Sequence, residues 1–306
     1  MIDIIGKRFW YFLFSALIIL PGIVSLAIPP GLQLAVDFTG GTLWEMKFTQ
    51  EVQPARVKEV FGEFNLGDAI VQTSGDQTLL IRSKEIRSDS EVKANIESSL
   101  RERFGSYDEL RFESVGPSVG EEVAQRAIWA VVAASVGILL YISWAFRKVP
   151  SPFRYGACAI VALLHDALLV LGVFSIAGRL FHVEIDALFV TAVLTIIGFS
   201  VHDTIVVFDR IRENMAKRGN ESFETVVNHS VLQTLGRSLN TSLTVVFTLT
   251  ALVLFGGVTT RAFVAALLIG IVSGTYSSIF NASMLLVVWE NGELGQLFRR
   301  LQFKRA

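Results

Sequence analysis

Two aspartates occupy stretches of sequence where a carboxylate is costly. Asp166 lies in LLHDALL and Asp203 in GFSVHDTIVVFDR, each inside a long apolar run. At bilayer depth an ionised side chain costs at least about 2.5–3.5 kcal/mol, so acids in such runs are functional candidates by default. With a rise of 1.5 Å per residue, Asp203 falls roughly 10 Å before Arg210, deep enough to need a partner. Spacing supplies candidates. Thr191, Thr195, Gly198 and His202 form one helical stripe with Asp203 at its edge, and Arg237, Thr241, Thr244 and Thr248 form another, with Asn240 beside it. A third face carries Gly270, Gly274, Ser277 and Asn281, and the first two permit close backbone approach. Ordinary helix packing accounts for Gly270 and Gly274, but not for Asp203 or Arg237. An acid with an arginine and hydroxyls in reach can change protonation as water enters from either side, which is the minimum equipment of a proton relay. The alternative is a buried acid that a hydroxyl or arginine satisfies and that only holds helices together.

Other chemistry finds less support. The two aspartates lack the Gly-x-Gly-Asp or Tyr-Asp context of an intramembrane aspartyl protease, and there is no His-Glu-x-x-His metal pair. No enzymatic activity is expected. The four histidines, His165, His182, His202 and His229, are scattered rather than spaced as a ligand set, so no metal and no cofactor are expected. The single cysteine, Cys158, excludes an intrachain disulfide. A net charge of −1 offers nothing to a polyanion, so nucleic acid is not an expected partner.

The elements that must position these residues are set by an apolar excess. Hydrophobic residues make up 52% of the 306 positions and charged residues 18%, and the mean hydropathy is +0.52. Crossing a hydrocarbon core takes about 20 apolar residues in a helix. Six stretches qualify: Phe9 to Ile28, Ala127 to Phe146, Phe153 to Ala177, Ile185 to Phe208, Leu239 to Phe255 and Phe263 to Trp289. Trp10, Trp129, Trp144 and Trp289 fall at their ends, where an amphipathic ring suits the interface. The first stretch follows Lys7 and Arg8 and exceeds the ~7–15 residues of a signal core, so an uncleaved anchor is expected.

Basic residues cluster in alternate loops: Lys7 and Arg8; Arg147, Lys148 and Arg154; Arg210, Arg212, Lys217, Arg218 and Arg237; and Arg299, Arg300, Lys304 and Arg305. The opposite loops carry only Arg179 and Arg261. The positive-inside rule then puts both termini in the cytoplasm, the soluble region outside and the whole chain in the inner (cytoplasmic) membrane. The expected organisation is residues 1–30 as N-terminus and first span, 31–123 as an outward domain, 124–290 as spans two to six with a cytoplasmic loop of helical segments at 209–238, and 291–306 as a cytoplasmic tail. Within the outward region the pattern reads as strand Leu43 to Phe48, helix Pro54 to Phe64, strands Ala69 to Thr73 and Thr78 to Arg82, a helix capped by Asp89 and running to Phe104, and strand Glu109 to Val115. That order is βαββαβ, a ferredoxin-like α+β arrangement. The diglycine Gly40-Gly41 in VDFTGGT could by itself be any turn leaving the membrane.

VDFTGGT after the first span, with Asp37, Gly40 and Gly41, taken together with GFSVHDTIVVFDRIREN in the fourth, closely resembles the SecF branch of the SecD/SecF family, of the resistance-nodulation-division (RND) superfamily. LLHD, QTLGRSLNTS and LLIGIVSGTYSSIFNAS look like further family segments, so the resemblance covers essentially the whole chain. It implies a six-helix transmembrane bundle with an inserted outward domain. It also implies a helper of protein export that pairs with SecD, associates with the SecYEG channel and with YajC or YidC, and uses protons to pull an emerging unfolded polypeptide outward. Asp203 falls on the family's intramembrane aspartate, Arg237 on its partnering arginine and Asp166 on another family acid; Thr204 and Asn240 fall in the same motifs. His202 departs from the asparagine of many members, and the favoured reading is that it replaces an amide hydrogen bond. A small-molecule exporter of the same architecture and a non-transporting scaffold are the alternatives. Only two polar helix faces in six spans look like half of a pseudo-symmetric pair, so a second bundle is expected as partner.

Overall fold

The computed structural model of the chain describes residues 2–293. The segment 294–306, with the basic tail expected there, lies outside the described residues. Among the described residues two compact units form: a helical unit of residues 2–33 and 130–293, and a sheet unit of residues 34–129.

The sheet unit opens with the short helix α2 (Val36–Thr39), followed by β1 (Gly41–Phe48), α3 (Pro54–Glu63), β2 (Ile70–Gly75), β3 (Thr78–Ser83), α4 (Glu91–Phe104) and β4 (Tyr107–Val115). The strands form one antiparallel sheet in the order β2-β3-β1-β4, the expected βαββαβ topology. Period-two alternation on β1 sends Trp44, Met46 and Phe48 into the core, where they meet Val57, Val60 and Phe61 of α3 and Ile96, Leu100 and Phe104 of α4. The cap of α4 is one residue later than expected. Ser90, not Asp89, accepts from the Lys93 amide at 3.3 Å, because it is Ser90 whose extended backbone immediately precedes the helix. The diglycine has a specific task. Both residues have positive φ (+70° and +115°), and a Cβ on Gly40 would stand 2.6 Å from the Pro117 Cα. The corner between α2 and β1 thus presses against the start of α5 (Pro117–Ala145), where Gly120 is equally crowded.

Six helical segments of 23 to 33 residues are long and apolar enough to cross a membrane. They are α1 (Arg8–Ala27, extended by a 3₁₀ turn at Ile5–Lys7), α5, α6 (Pro152–Phe181), α7 (Ala187–Lys217), α8 (Phe223–Phe255), and a last span made of α9 (Val258–Tyr276), a π-helical segment (Ser277–Ala282) and α10 (Ser283–Glu290). The chain is a multi-pass membrane protein. α1 crosses α6 at Gly22 and Gly172, so close that a Cβ on either would lie 2.7 Å from the other's Cα. Above that crossing the Ser25 and Ser175 hydroxyls meet at 2.7 Å, and the Arg179 guanidinium donates to carbonyls at the end of α1, Ser25 at 2.9 Å and Ile28 among them. An arginine in the last turn of α6 is thereby consumed by the open terminus of α1.

Residues 209–238, expected as a cytoplasmic loop with helical segments, are almost wholly helical. α7 continues to Lys217 and α8 begins at Phe223, leaving 218–222 between them. Apolarity marks where a helix meets lipid, not where it ends. Beyond that point the Glu213–Lys217 pair at 2.6 Å supports the solvated turns of α7, Ser222 caps α8, and the Asn214 amide donates to Ser230 at 2.8 Å to tie the two together.

Candidate functional site: two buried aspartates

Asp166 and Asp203 are both buried, but their surroundings differ. Asp166, on α6, is fully buried and accepts three hydroxyl hydrogen bonds from two other spans: Ser200 of α7 (2.7 Å), Ser273 of α9 (2.7 Å) and Ser277 of the π segment (2.6 Å). His165 Nδ1 stands 3.1 Å from the same carboxylate. A carboxylate has about four acceptor sites, so this cage nearly exhausts them without a lysine or arginine among the described residues. The cage extends further: Ser278 donates to the Ser200 carbonyl at 2.8 Å, and Thr204 donates to the Ser278 hydroxyl at 2.9 Å. The other ring nitrogen of His165, Nε2, is buried and has no partner among the described residues.

Asp203, on α7, is 3% exposed and faces α8. Its Oδ1 accepts from the Ser238 hydroxyl at 3.3 Å, and its Oδ2 is buried with no hydrogen-bond partner among the described residues. Among the described residues no ion pair joins Arg237 directly to Asp203, and the arginine's charge acts on the carboxyl from farther away. Consecutive residues on a helix point about 100° apart. Ser238 therefore takes the inward position, and Arg237 looks into a neighbouring polar cleft of about 340 Å³, lined also by Asp209, Arg210, Glu213 and Gln233.

The predicted stripes are displaced in the same sense. Thr191, Thr195, Gly198 and His202 of α7 and Asn240, Thr241, Thr244 and Thr248 of α8 are exposed on the surface of the unit, not in its core. Their threonine hydroxyls turn back onto their own helix, as from Thr195 to the Thr191 carbonyl at 2.7 Å and from Thr248 to Thr244 at 3.0 Å, so the faces are polar yet satisfied. The inward face of α8 is Thr234, Ser238 and Ser242. Gly198 packs against nothing within 4 Å, whereas Gly270 and Gly274 do pack on α7, against Ile196 and Ser200. Thr204 is buried in the network, and Asp37 lies in the first turn of α2.

The buried hydroxyls Ser200, Ser238, Ser273 and Ser278, which bond to the two acids or to their neighbours, are not among the residues the sequence pattern singles out. Spacing carries the signal, since Ser273-Ser277 and Ser238-Ser242 each repeat at four residues, but the threonine stripes repeat at the same spacing. A Gly-x-Ser-x-Gly pattern, expected to be absent, is present in the letters of the chain. Residues 116–120 read Gly-Pro-Ser-Val-Gly, the letters of a nucleophile turn, at the junction of β4 and α5. The unit that contains it, residues 34–129, has no histidine, so Ser118 has no such base within its own unit.

Comparison with known proteins agrees with this architecture. The family described as protein export membrane protein SecD/SecF, C-terminal, matches residues 95–292, and the SecD/SecF GG motif matches residues 25–52. A protein of Thermobaculum terrenum named protein translocase subunit SecF is 55% identical over 100% of this chain and 99% of its own length. The chain belongs to the SecD/SecF family. Two longer SecD/SecF relatives contain a comparable region. The protein translocase subunit SecDF of Bacillus subtilis is 34% identical over 95% of this chain, and the crystal structure of SecDF, a translocon-associated membrane protein from Thermus thermophilus, superposes with a TM-score of 0.79 at 31% identity over 95% of it. This chain spans only 38% and 39% of those two proteins.

Proposed function

We propose that this SecD/SecF protein is the SecF subunit of a protein translocase, that it pairs with SecD, and that the pair uses the proton motive force to drive late steps of polypeptide export through SecYEG. It has no enzymatic role in this reading. It sits in the bacterial cytoplasmic membrane with both termini inside and the ferredoxin-like unit outside, as the loop charges require. The relatives' names and the joining of a SecD part to a matching region in the longer SecDF proteins support the pairing. So do the exposed polar faces of α7 and α8, which suit a second bundle better than lipid.

A single observation carries the mechanism: Asp203 is a buried carboxyl with one long hydrogen bond and one unpartnered oxygen. A protonated carboxyl has a hydrogen to place at such an oxygen, and an ionised one needs a donor or water there, so the site is satisfied in neither state without movement. Proton exchange at Asp203 thereby demands a change in what faces α7 and α8. Arg237, in the adjoining cleft, biases that exchange through its charge, and Asp166 is the second acid of the relay. Membrane potential contributes about 2.3 kcal/mol per charge per 100 mV, enough to bias a two-state bundle. The test is Asp203→Asn in cells holding no other copy. Export of precursor proteins is expected to fall at least tenfold although the protein accumulates normally; export at the normal rate would refute the role.

A further inference from the structure

The last span is interrupted where it meets Asp166. Ser277–Ala282 is π-helical, flanked by regular helix on both sides. A π turn is wider than an α turn by one residue and is uncommon, so something must hold it. Its contacts identify what does. Ser277 donates to Asp166, Ser278 donates to the Ser200 carbonyl, the Phe280 ring stacks on Tyr11 at 4.6 Å, and Asn281 donates to the Ser15 hydroxyl at 2.9 Å. Three helices, α6, α7 and α1, thus grip one wide turn from three sides.

We propose that this π segment transmits the protonation state of Asp166 to α10, with Ser277 as the positioning residue between them. The inference extends the proton-coupled reading above by naming the moving part. Asp166 Oδ2 accepts from both Ser200 and Ser277. When that oxygen takes up a proton it becomes a donor and gives up acceptor capacity, so it no longer holds both hydroxyls. Ser277 is the one that leaves, because its second acceptor, the Gly274 carbonyl, stands at 3.2 Å on its own helix, whereas the alternative partner of Ser200, the Ser278 hydroxyl, is 3.5 Å away. Ser273 stays on Oδ1. With its grip on Asp166 released, the wide turn closes toward α geometry or its extra residue migrates, and α10 shifts by up to one residue step, ~1.5 Å along and ~100° around its axis. The far end of α10 reports the shift: Glu290 pairs with Arg154, and Asn291 donates to Glu224 at 2.8 Å.

The ionisable groups around Asp166 are few. His165 of α6 touches it, Tyr276 of α9 lies over the His165 ring at 6.4 Å and donates to the Tyr11 carbonyl of α1, and Asp203 lies three residues beyond Ser200 on α7. No lysine or arginine pairs with Asp166 among the described residues.

The test uses the full chain in lipid nanodiscs, in a Cys158→Ala background, with spin labels on Leu285→Cys of α10 and Ala216→Cys of α7. Pulsed-EPR distance distributions are compared among the parent, Asp166→Asn, Ser277→Ala, Ser273→Ala and Asp203→Asn. A second distance is expected to gain at least threefold in population in Asp166→Asn and in Ser277→Ala, and to stay at the parent level in the other two. Deleting Ala282 is expected to fix the second distance; should that variant fail to fold, the two substitutions decide. Unchanged distributions in both Asp166→Asn and Ser277→Ala overturn the proposal, and so does an equal change in Ser273→Ala. Export plays no part in this readout. A failure here leaves the role of Asp203 standing, and normal export by Asp203→Asn leaves the π segment to be judged on its own distances.

Discussion

At the scale of the residue, the two acids divide the work. Asp166 receives three hydroxyl donors and an imidazole, whereas Asp203 receives one hydroxyl at 3.3 Å and its other oxygen has no hydrogen-bond partner among the described residues. Their neutral amide variants should therefore separate stability from activity. Asp166→Asn disturbs a filled cage and is expected to destabilise the helical unit by about 1–2 kcal/mol, the range of interhelical hydrogen bonds in membranes. Asp203→Asn disturbs one long bond and is expected to change stability by less than ~0.5 kcal/mol. Unfolding titrations in mixed micelles measure both, and equal losses would show that the difference in hydrogen bonding has no energetic meaning. The identities of the acids were legible in the sequence because a charge in an apolar run is conspicuous. Their partners were not. A serine is cheap to place anywhere on a helix, and only the meeting of α6, α7 and α9 shows which ones face a carboxylate.

At the scale of the element, helix faces decide what each residue can touch. Arg237 and Ser238 are neighbours in the chain, yet the second enters the core and the first looks into the cleft beside it. Glycines divide in the same way. A Cβ on Gly22 would stand 2.7 Å from the backbone of Gly172, while one on Gly198 would meet nothing within 4 Å. Gly22→Ala must push α1 from α6 and is expected to cost about 1–3 kcal/mol, the usual penalty of overpacking. Gly198→Ala is expected to be neutral or slightly stabilising, since it replaces a flexible residue within a helix. Thermal unfolding of the two variants in detergent, followed by tryptophan fluorescence, checks the contrast; a Gly22→Ala protein as stable as the parent would mean that the crossing has room to spare.

At the scale of the whole molecule, the helical unit is an incomplete solid. α5 leaves Val132, Val136, Leu140 and Trp144 exposed, as lipid would have it, while α7 and α8 expose threonines, a histidine and an arginine. Hydroxyls bonded to their own backbone carry little penalty in an apolar setting and remain small enough for another helix to approach. If SecD covers this surface, Thr244→Trp should block its approach. The expected result is that SecD no longer co-purifies with the chain in mild detergent, although the variant alone unfolds at the parent temperature. Undiminished co-purification would place the contact elsewhere.

Much of this protein is determined by local chemistry that the sequence carries openly. Six apolar runs impose six spans because lipid offers no partner to a peptide group, and alternation around Trp44, Met46 and Phe48 imposes a strand with one buried face. Turn and cap residues then order the βαββαβ unit, and the motifs around Asp203 and Gly40-Gly41 point to the family. What the tertiary structure alone decided is rotation: which face of α8 turns inward, which hydroxyls close on Asp166, and where the last span widens into a π turn. Periodicity tells that a helix has a polar side, but polar residues lie on both sides of α8, and the choice between them rests on helices far away in the chain.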